Sequence, residues 1–472
     1  MWIHPKRNAD IALQTENYCL TYETLHEQIG HKLYLLNSNA LNGLRVALDL
    51  PESFTLIQWT GANWLAGNTV LILDQRLKPA EKEWRLRDFS PDIVISCLEQ
   101  PSGTMQTFQA EVPVIVEDYN IERRYRSEQQ ATIESEQAML VLYSSGSTGM
   151  AKQICRTRSS LEQELTQYAK EPLSPDEHSA VLCMASVTHA YGLLSACFHT
   201  LHVGGTVHVP ALVKPAELVR IVEQHQITHM YGVLFHYQLL EGSLKKLADT
   251  GCKPICLSSG GSLPVALIER YKEAGLSLGN QYGMSELGYI AVDFTGAKPG
   301  YAGPVASHHR WSLDETGQLV ITLDQSPYSA TQQNWQPAPS GGKLLTQDIA
   351  VMNEHGHISI QGRVNRQVSV GGLKVDLDEV EQKLATHPHL EGCCVVGMDH
   401  PVYGTMIEAF IVWNDNGELP FAELKSWLRI ELADYKIPRG FRAVEEIPVS
   451  ATGKVLRGEL IKESWHGYQT TG

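Results

Sequence analysis

No apolar run in this sequence approaches the roughly 18 residues that a membrane-crossing helix needs, so no membrane partner is expected. Basic residues are scarce: 38 Lys plus Arg stand against 53 Asp plus Glu, a formal net charge of −15. A general nucleic-acid binder needs a basic stripe to displace counterions from phosphates, so that class is excluded and no nucleic-acid partner is expected. A small anionic ligand is still allowed, because a few local cations and backbone N–H groups suffice for it. The nine cysteines lack a framework spacing; the nearest neighbours are Cys252/Cys256 and Cys393/Cys394. They read as reduced thiols of a cytoplasmic protein. After the cations Lys6 and Arg7 no apolar stretch follows, so no secretory signal is expected. Internal repeats and low-complexity tracts are missing too. Hydrophobic residues nevertheless make up 43% of the chain, which supports a core and excludes disorder. At 472 residues the chain exceeds what a single core usually serves, so two or more domains are expected.

Short apolar runs alternate with amphipathic stretches. Strands are expected near residues 44–50, 69–73, 92–96, 112–116, 139–143, 180–184, 206–209, 228–232, 255–258 and 276–281. Helices are expected near 53–65, 79–89, 159–169, 215–225 and 264–274. Such alternation predicts an α/β fold of parallel sheets covered by helices. Gly, Pro, Ser and Gln crowd residues 296–342, which predicts a small β subdomain. Past Gly362 a compact α+β unit is expected, with helices near 377–386 and 420–432 and strands near 392–397 and 407–412. The expected division is a large N-terminal domain, 1–362, a hinge at 363–366, and a small C-terminal domain, 367–472.

The strongest chemical signal is Ser144-Ser145-Gly146-Ser147-Thr148-Gly149-Met150-Ala151-Lys152, which follows an apolar strand. Two glycines allow close backbone approach to an anion, hydroxyls offer donors, and a lysine supplies charge. The GxxxxGK[ST] spacing is absent, so this is not a Walker loop. Taken alone, the segment is as well read as a polar surface loop. Further segments follow in order: Ser258-Ser259-Gly260-Gly261, Gln281-Tyr282-Gly283-Met284-Ser285-Glu286, Leu345-Thr346-Gln347-Asp348, Gly362-Arg363-Val364-Asn365 and Val370-Gly371-Gly372-Leu373-Lys374. The last are Tyr435-Lys436-Ile437-Pro438 and a segment from Ile447 to Arg457 containing Thr452-Gly453-Lys454.

In this order and spacing the set resembles the adenylate-forming (AMP-binding) superfamily: acyl- and aryl-CoA synthetases, peptide-synthetase adenylation domains, and luciferases. The resemblance runs from about Thr21 to Arg457. It implies that the 144–152 loop, with Ser144, Ser145, Gly146, Ser147, Thr148, Gly149 and Lys152, holds the β- and γ-phosphates of ATP. It implies that Tyr282 stacks on adenine within a nucleotide-binding segment of Gln281, Gly283, Met284 and Ser285, with Gly260 and Gly261 alongside. Glu286 matches the position that reaches Mg²⁺, with Thr148 sharing that work. Asp348 matches the carboxylate that accepts the ribose hydroxyls, Arg363 an arginine that reaches ribose and phosphate, and Lys454 the catalytic lysine. Gly371 and Gly372 match a turn on the thiol route. The chain departs from the family at Ala151 and Gln153, where Pro and Gly are usual, and at Asn365, where the hinge usually carries Asp.

For the acid, the resemblance singles out His189, at a position where an aromatic or histidine is common, as a residue of both the pocket and the chemistry. Tyr231, Phe235 and His236 lie where relatives line the acid pocket, though as residues they are equally core aromatics. No acidic residue occurs between Met184 and Thr206, so nothing nearby in sequence would pair with an α-ammonium. A small aryl or short acyl acid is therefore expected. His225/His229, His199/His202 and His308-His309 lack an acidic or Cys partner at ligand spacing, so no zinc site is expected.

The expected enzyme is thus an ATP- and Mg²⁺-dependent acid–thiol ligase. It forms an acyl- or aryl-adenylate plus pyrophosphate, then passes the acyl group to CoA or to the phosphopantetheine of a separate acyl carrier protein. An adenylate-only ligase and a non-catalytic nucleotide-binding regulator are the alternatives.

Overall fold

The computed structural model describes residues 2–5, 9–16, 18–97, 114–116, 119–123, 138–144, 152–210, 213–261, 263–315, 317–328, 334–338, 340–363, 366–400, 404–414, 417, 419–448, 457 and 460. The apolar runs form strands that are buried almost throughout, such as Arg45–Asp49, Thr69–Ile72, Ile93–Cys97 and His229–Gly232. Strands buried on both faces belong in parallel sheets whose crossovers are helices. Helix Phe54–Leu65 joins the first two of these strands, and Pro79–Phe89 leads to the third.

Seven strands make one sheet, in the order Val114–Val116, Tyr119–Arg123, Ile93–Cys97, Arg45–Asp49, Thr69–Ile72, Ala138–Ser144, Lys152–Thr157. A second sheet has eight: Gly288–Asp293, Ser277–Met284, Ile255–Ser259, His229–Gly232, Ala180–Cys183, Thr206–His208, Ile11–Gln14, Cys19–Thr21. Both are mixed rather than purely parallel. The outer strands Gly288–Asp293, Cys19–Thr21 and Tyr119–Arg123 run antiparallel to their neighbours. Each of the first two follows its neighbour after a few residues, which an antiparallel turn can span and a parallel crossover cannot.

The Gly- and Pro-rich stretch builds an all-antiparallel sheet of Arg310–Leu313, Gln318–Leu323, Gly341–Met352, Trp335–Ala338 and Ile358–Arg363. The C-terminal residues form a five-stranded sheet from Gln367–Val370, Leu373–Asp376, Leu390–His400, Gly404–Trp413 and Gly440–Ala443. Helices Leu377–Ala385 and Phe421–Glu431 pack on it through Val380, Leu384, Leu424 and Leu428. The chain divides into two compact units, one of residues 1–75, 83–143 and 153–364, the other of 76–82, 144–152 and 365–472.

Several elements escape the apolar-run reading, two helices among them. Helix Tyr22–Ser38 starts where the Thr21 hydroxyl accepts the Thr24 N–H at 3.2 Å. A π-helix, Tyr191–Phe198, follows the segment that holds His189; π-turns inside helices often mark functional sites. All nine cysteines are free. Among the described residues no helix is long and apolar enough to cross a membrane.

Candidate functional site

Tyr282 lies near the carboxyl end of the parallel strand Ser277–Met284, where open α/β sheets bind ligands. Its phenol donates to Asp348 Oδ2 at 2.7 Å. Asp348 is buried in strand Gly341–Met352, and its own N–H donates to Thr346 Oγ1 at 3.2 Å. Directly across the ladder from Asp348 is Arg363. An aromatic face, a carboxylate and an arginine position thus meet at one place, although they lie up to 81 residues apart (363 − 282).

The other members of that strand's motif divide between two directions. Gln281 points the opposite way from Tyr282, as neighbours in a strand must. Its Oε1 accepts Tyr168 Oη–H at 2.7 Å and its Nε2 donates to Ser195 Oγ at 3.0 Å. Tyr231 joins the same buried network, its hydroxyl 3.1 Å from that of Tyr168. Both Gln281 and Tyr231 therefore commit their side chains to the core. Met284 is buried as well, Gly283 lies half-buried in the strand, and the Ser285 carbonyl accepts from Arg156 Nη1 at 3.5 Å.

Glu286, on the turn that follows, is buried and accepts Tyr328 Oη–H at 2.8 Å; Asn334 Nδ2 in turn donates to the Tyr328 hydroxyl at 2.7 Å. Neither partner was readable from the sequence. The turn is braced from behind by a buried ion pair. Arg156 Nη2 meets Glu164 Oε2 at 2.8 Å with the side chains 1% and 4% exposed, and Glu164 Oε1 accepts the Tyr289 N–H at 3.4 Å. Burial pushes the Glu164 carboxyl above the ordinary range, against the pull of the Arg156 cation. Gly288 is held at φ +81, and a Cβ there would run into the Glu164 carboxylate, so the turn requires glycine.

Ser144 ends strand Ala138–Ser144, and Lys152, half-buried, opens Lys152–Thr157. Ser145, Gly146, Ser147, Thr148 and Gly149 lie outside the described residues, as do Asn365 and Lys454. Gln153, a departure from the pattern of the family that the sequence resembles, has a structural post. Its Nε2 donates to the Tyr143 hydroxyl at 3.0 Å, and Tyr143 donates to Asp88 Oδ2 at 2.6 Å. Gly260 and Gly261 form the turn after strand Ile255–Ser259.

In the segment that the resemblance assigns to the acid, His189 Nε2 lies 3.2 Å from Asp74 Oδ2. Glu52 accepts Ser186 Oγ–H at 2.7 Å and the Val187 N–H at 3.2 Å. The local sequence holds no acid, yet the fold delivers two carboxylates from distant loops. That corrects the premise used against an α-ammonium, but both carboxylates already have partners. His236 Nδ1 accepts the Val233 N–H at 3.2 Å, which caps helix Leu234–Leu240. Burial pushes its pKa down to about 4, so at neutral pH it is the uncharged acceptor that this cap requires. Phe235, beside it, is 37% exposed. Gly371 and Gly372, at φ 57 and 82, close a two-residue hairpin between Val370 and Leu373. Left-handed values at both positions select glycine. Of the tempting histidines, His229 Nε2 contacts the Leu173 carbonyl oxygen at 3.0 Å, while the His225 ring packs 4.8 Å from that of His208.

Residues 4–324 match the model of a family described as AMP-binding enzyme, and residues 379–454 that of the AMP-binding enzyme C-terminal domain. A feruloyl-CoA synthase of Amycolatopsis sp is 26% identical over 460 residues, which covers 93% of each chain. A 3,4-dihydroxybenzoate–[aryl-carrier protein] ligase of Bacillus anthracis is 26% identical over 327 residues, 68% of this chain and 73% of that one. Among solved structures, an o-succinylbenzoate CoA synthetase from Bacillus subtilis superposes with a TM-score of 0.80 at 20% identity. It covers 97% of this chain and 96% of its own, a likeness of fold.

Proposed function

The chain belongs to the AMP-binding enzyme family, and from that premise we propose an ATP-dependent ligase that joins a small aryl or short acyl acid to a thiol. The observation that carries the reading is the 2.7 Å bond from Tyr282 Oη to Asp348 Oδ2, with Arg363 across the ladder. It gathers a stacking face, a ribose acceptor and a cation position from three separate strands.

The first step forms a bond between a carboxylate oxygen of the acid and the α-phosphorus of ATP, and breaks the bond from that phosphorus to the β-phosphate bridge. Pyrophosphate leaves. In the second step the thiol sulfur attacks the acyl carbon, the thiol proton goes to solvent or a base, and AMP departs. Two anions must meet in the first step, so positive charge and oriented N–H groups have to offset the repulsion. Lys152, with the 144–149 segment, is assigned to the outer phosphates and Lys454 to the α-phosphate. The buried carboxylate of Glu286, with one oxygen bonded by Tyr328, fits Mg²⁺, which takes one or two carboxylates beside phosphate oxygens and water. When bound, that ion neutralises triphosphate charge, and Thr148 is assigned to share it. His189, His236 and Phe235 are assigned to the acid, and Gly371 and Gly372 to the thiol route.

The acceptor proposed is CoA, with carrier-bound phosphopantetheine assayed beside it. A mobile small domain hinged at 363–366 accompanies this reading, as does a cytoplasmic setting, in keeping with nine free thiols. Isotopic ATP–pyrophosphate exchange over a panel of acids tests it. Exchange with aryl or short acyl acids, AMP as the nucleotide product and a thioester with CoA are expected. Acid-dependent ADP and phosphate would overturn the assignment, and exchange confined to proteinogenic amino acids would overturn the substrate class.

A further inference from the structure

The segment that carries His189 is held from outside by two carboxylates far from it in the chain. Glu52 lies between strand Arg45–Asp49 and helix Phe54–Leu65. Its Oε1 accepts Ser186 Oγ–H at 2.7 Å and its Oε2 the Val187 N–H at 3.2 Å. Ser186 Oγ passes the restraint on, accepting the Thr188 N–H at 3.3 Å. Asp74, two residues past strand Thr69–Ile72, is buried, and its Oδ2 stands 3.2 Å from His189 Nε2.

The two carboxylates share a rigid base. Their strands are parallel neighbours, paired from Arg45↔Thr69 to Leu48↔Ile72, so both acids leave the carboxyl ends of adjacent strands. Gln75 Nε2 ties the two loops together, donating to Asp49 Oδ1 at 2.7 Å and to the Leu50 carbonyl at 3.2 Å. Bonds to an ionised acceptor are about twice as strong as neutral ones. The 186–189 segment, whose Val187 and Thr188 are buried, is thereby held further at its backbone by one carboxylate and at its imidazole by the other.

We propose that Glu52 and Asp74 are positioning residues for the acid, Glu52 by setting the 186–188 backbone and Asp74 by orienting the His189 ring. This rests on the ligase reading, in which His189 is assigned to the acid. The bonds that Glu52 and Asp74 make to this segment lead to His189 and not to Tyr282 or Asp348, so their effect should fall on the acid.

The test compares Glu52→Ala, Glu52→Gln, Asp74→Asn and His189→Ala in pyrophosphate exchange, varying acid and ATP separately. Loss of the Glu52 bonds should raise the KM for the acid about tenfold, the size of one lost bond to a charged group. The KM for ATP should stay within about twofold, and Glu52→Gln should recover part of the loss because one oxygen still accepts. Glu52→Ala placed on His189→Ala should add nothing, since residues acting through one another are non-additive. Equal damage to the acid and ATP parameters, or multiplying effects of Glu52 and His189, would overturn the proposal. Amide hydrogen exchange over residues 184–190, which needs no turnover, separates this inference from the ligase reading. It should quicken in Glu52→Ala. If it quickens while no acid supports exchange in the unaltered protein, the ligase reading falls and the restraint stands. If it is unchanged, the restraint is refuted whatever the activity.

Discussion

At the scale of single residues, the phenol of Tyr282 has two duties. Its ring is assigned to adenine, and its hydroxyl orients Asp348 through the 2.7 Å bond. Tyr282→Phe keeps the ring and removes the bond. A hydrogen bond to a charged group contributes about 1.5–3 kcal/mol, so the KM for ATP should rise by about tenfold or more while the KM for the acid holds. Tyr282→Ala should cost more, because it removes the stacking face too. Steady-state exchange at varied ATP checks both, and a Tyr282→Phe enzyme with unaltered ATP kinetics would remove the bond from the nucleotide site. The motif singled out Tyr282, Asp348 and Glu286 as candidates in sequence. It did not single out their supports. Tyr328, which bonds Glu286 from 42 residues on, and Asn334, which bonds Tyr328, sit in a Gly- and Pro-rich stretch with nothing local to mark them. Gln281 is the opposite lesson: strand alternation alone would have turned it inward once Tyr282 was set on the Asp348 side.

At the scale of elements, strand Lys152–Thr157 and helix Arg158–Tyr168 brace the turn that presents Glu286. The helix begins where the Thr157 hydroxyl accepts the Ser160 N–H at 3.1 Å, which places Glu164 under Arg156. Removing one partner of a buried pair leaves an uncompensated charge, at about 3–5 kcal/mol. Glu164→Gln and Arg156→Met should each lower stability by about that much in urea unfolding, and Arg156→Met/Glu164→Leu together by less than either alone. The Arg156→Met variant should also depend on pH. Burial already raises the folded Glu164 pKa above the ordinary 4.5, and losing the cation raises it further. A raised carboxyl favours the folded state below its unfolded pKa and loses that contribution as pH climbs through the folded value. The deficit of this variant should therefore shrink as the pH is lowered toward 4.5 and be largest at neutral pH. A pH-independent deficit, or an additive double variant, would show that Glu164 is not the group responsible. Helix Tyr22–Ser38 shows why another element escaped sequence reading. Its buried positions Tyr22, Leu25, Ile29, Lys32 and Leu36 step by three and four, but one of the five is a lysine, seated 5.6 Å from the Trp59 ring. A cation on the inward stripe hides the period from a purely apolar count.

At the scale of the whole molecule, alternation of apolar runs and amphipathic stretches foretold the two large sheets, because parallel strands buried on both faces leave that signature. It could not foretell the antiparallel edges, which depend on short connections rather than on hydrophobicity. Division of labour between the two units is the remaining question, and it turns on two places in the small one. Lys454 is assigned to the α-phosphate during adenylation, whereas the Gly371–Gly372 hairpin is assigned to the thiol. Lys454→Ala should therefore slow adenylate formation by about 10², the loss of one charge-stabilising donor, yet still transfer the acyl group from chemically supplied adenylate. Gly372→Val should do the reverse, sparing pyrophosphate exchange and slowing thioester formation. Valine at φ 82 also strains the hairpin, so retained exchange is the internal control: a collapsed unit would lose adenylation as well. If each variant instead loses both half-reactions in equal proportion, a single fixed arrangement serves both steps and the hinge proposed at 363–366 has no catalytic duty.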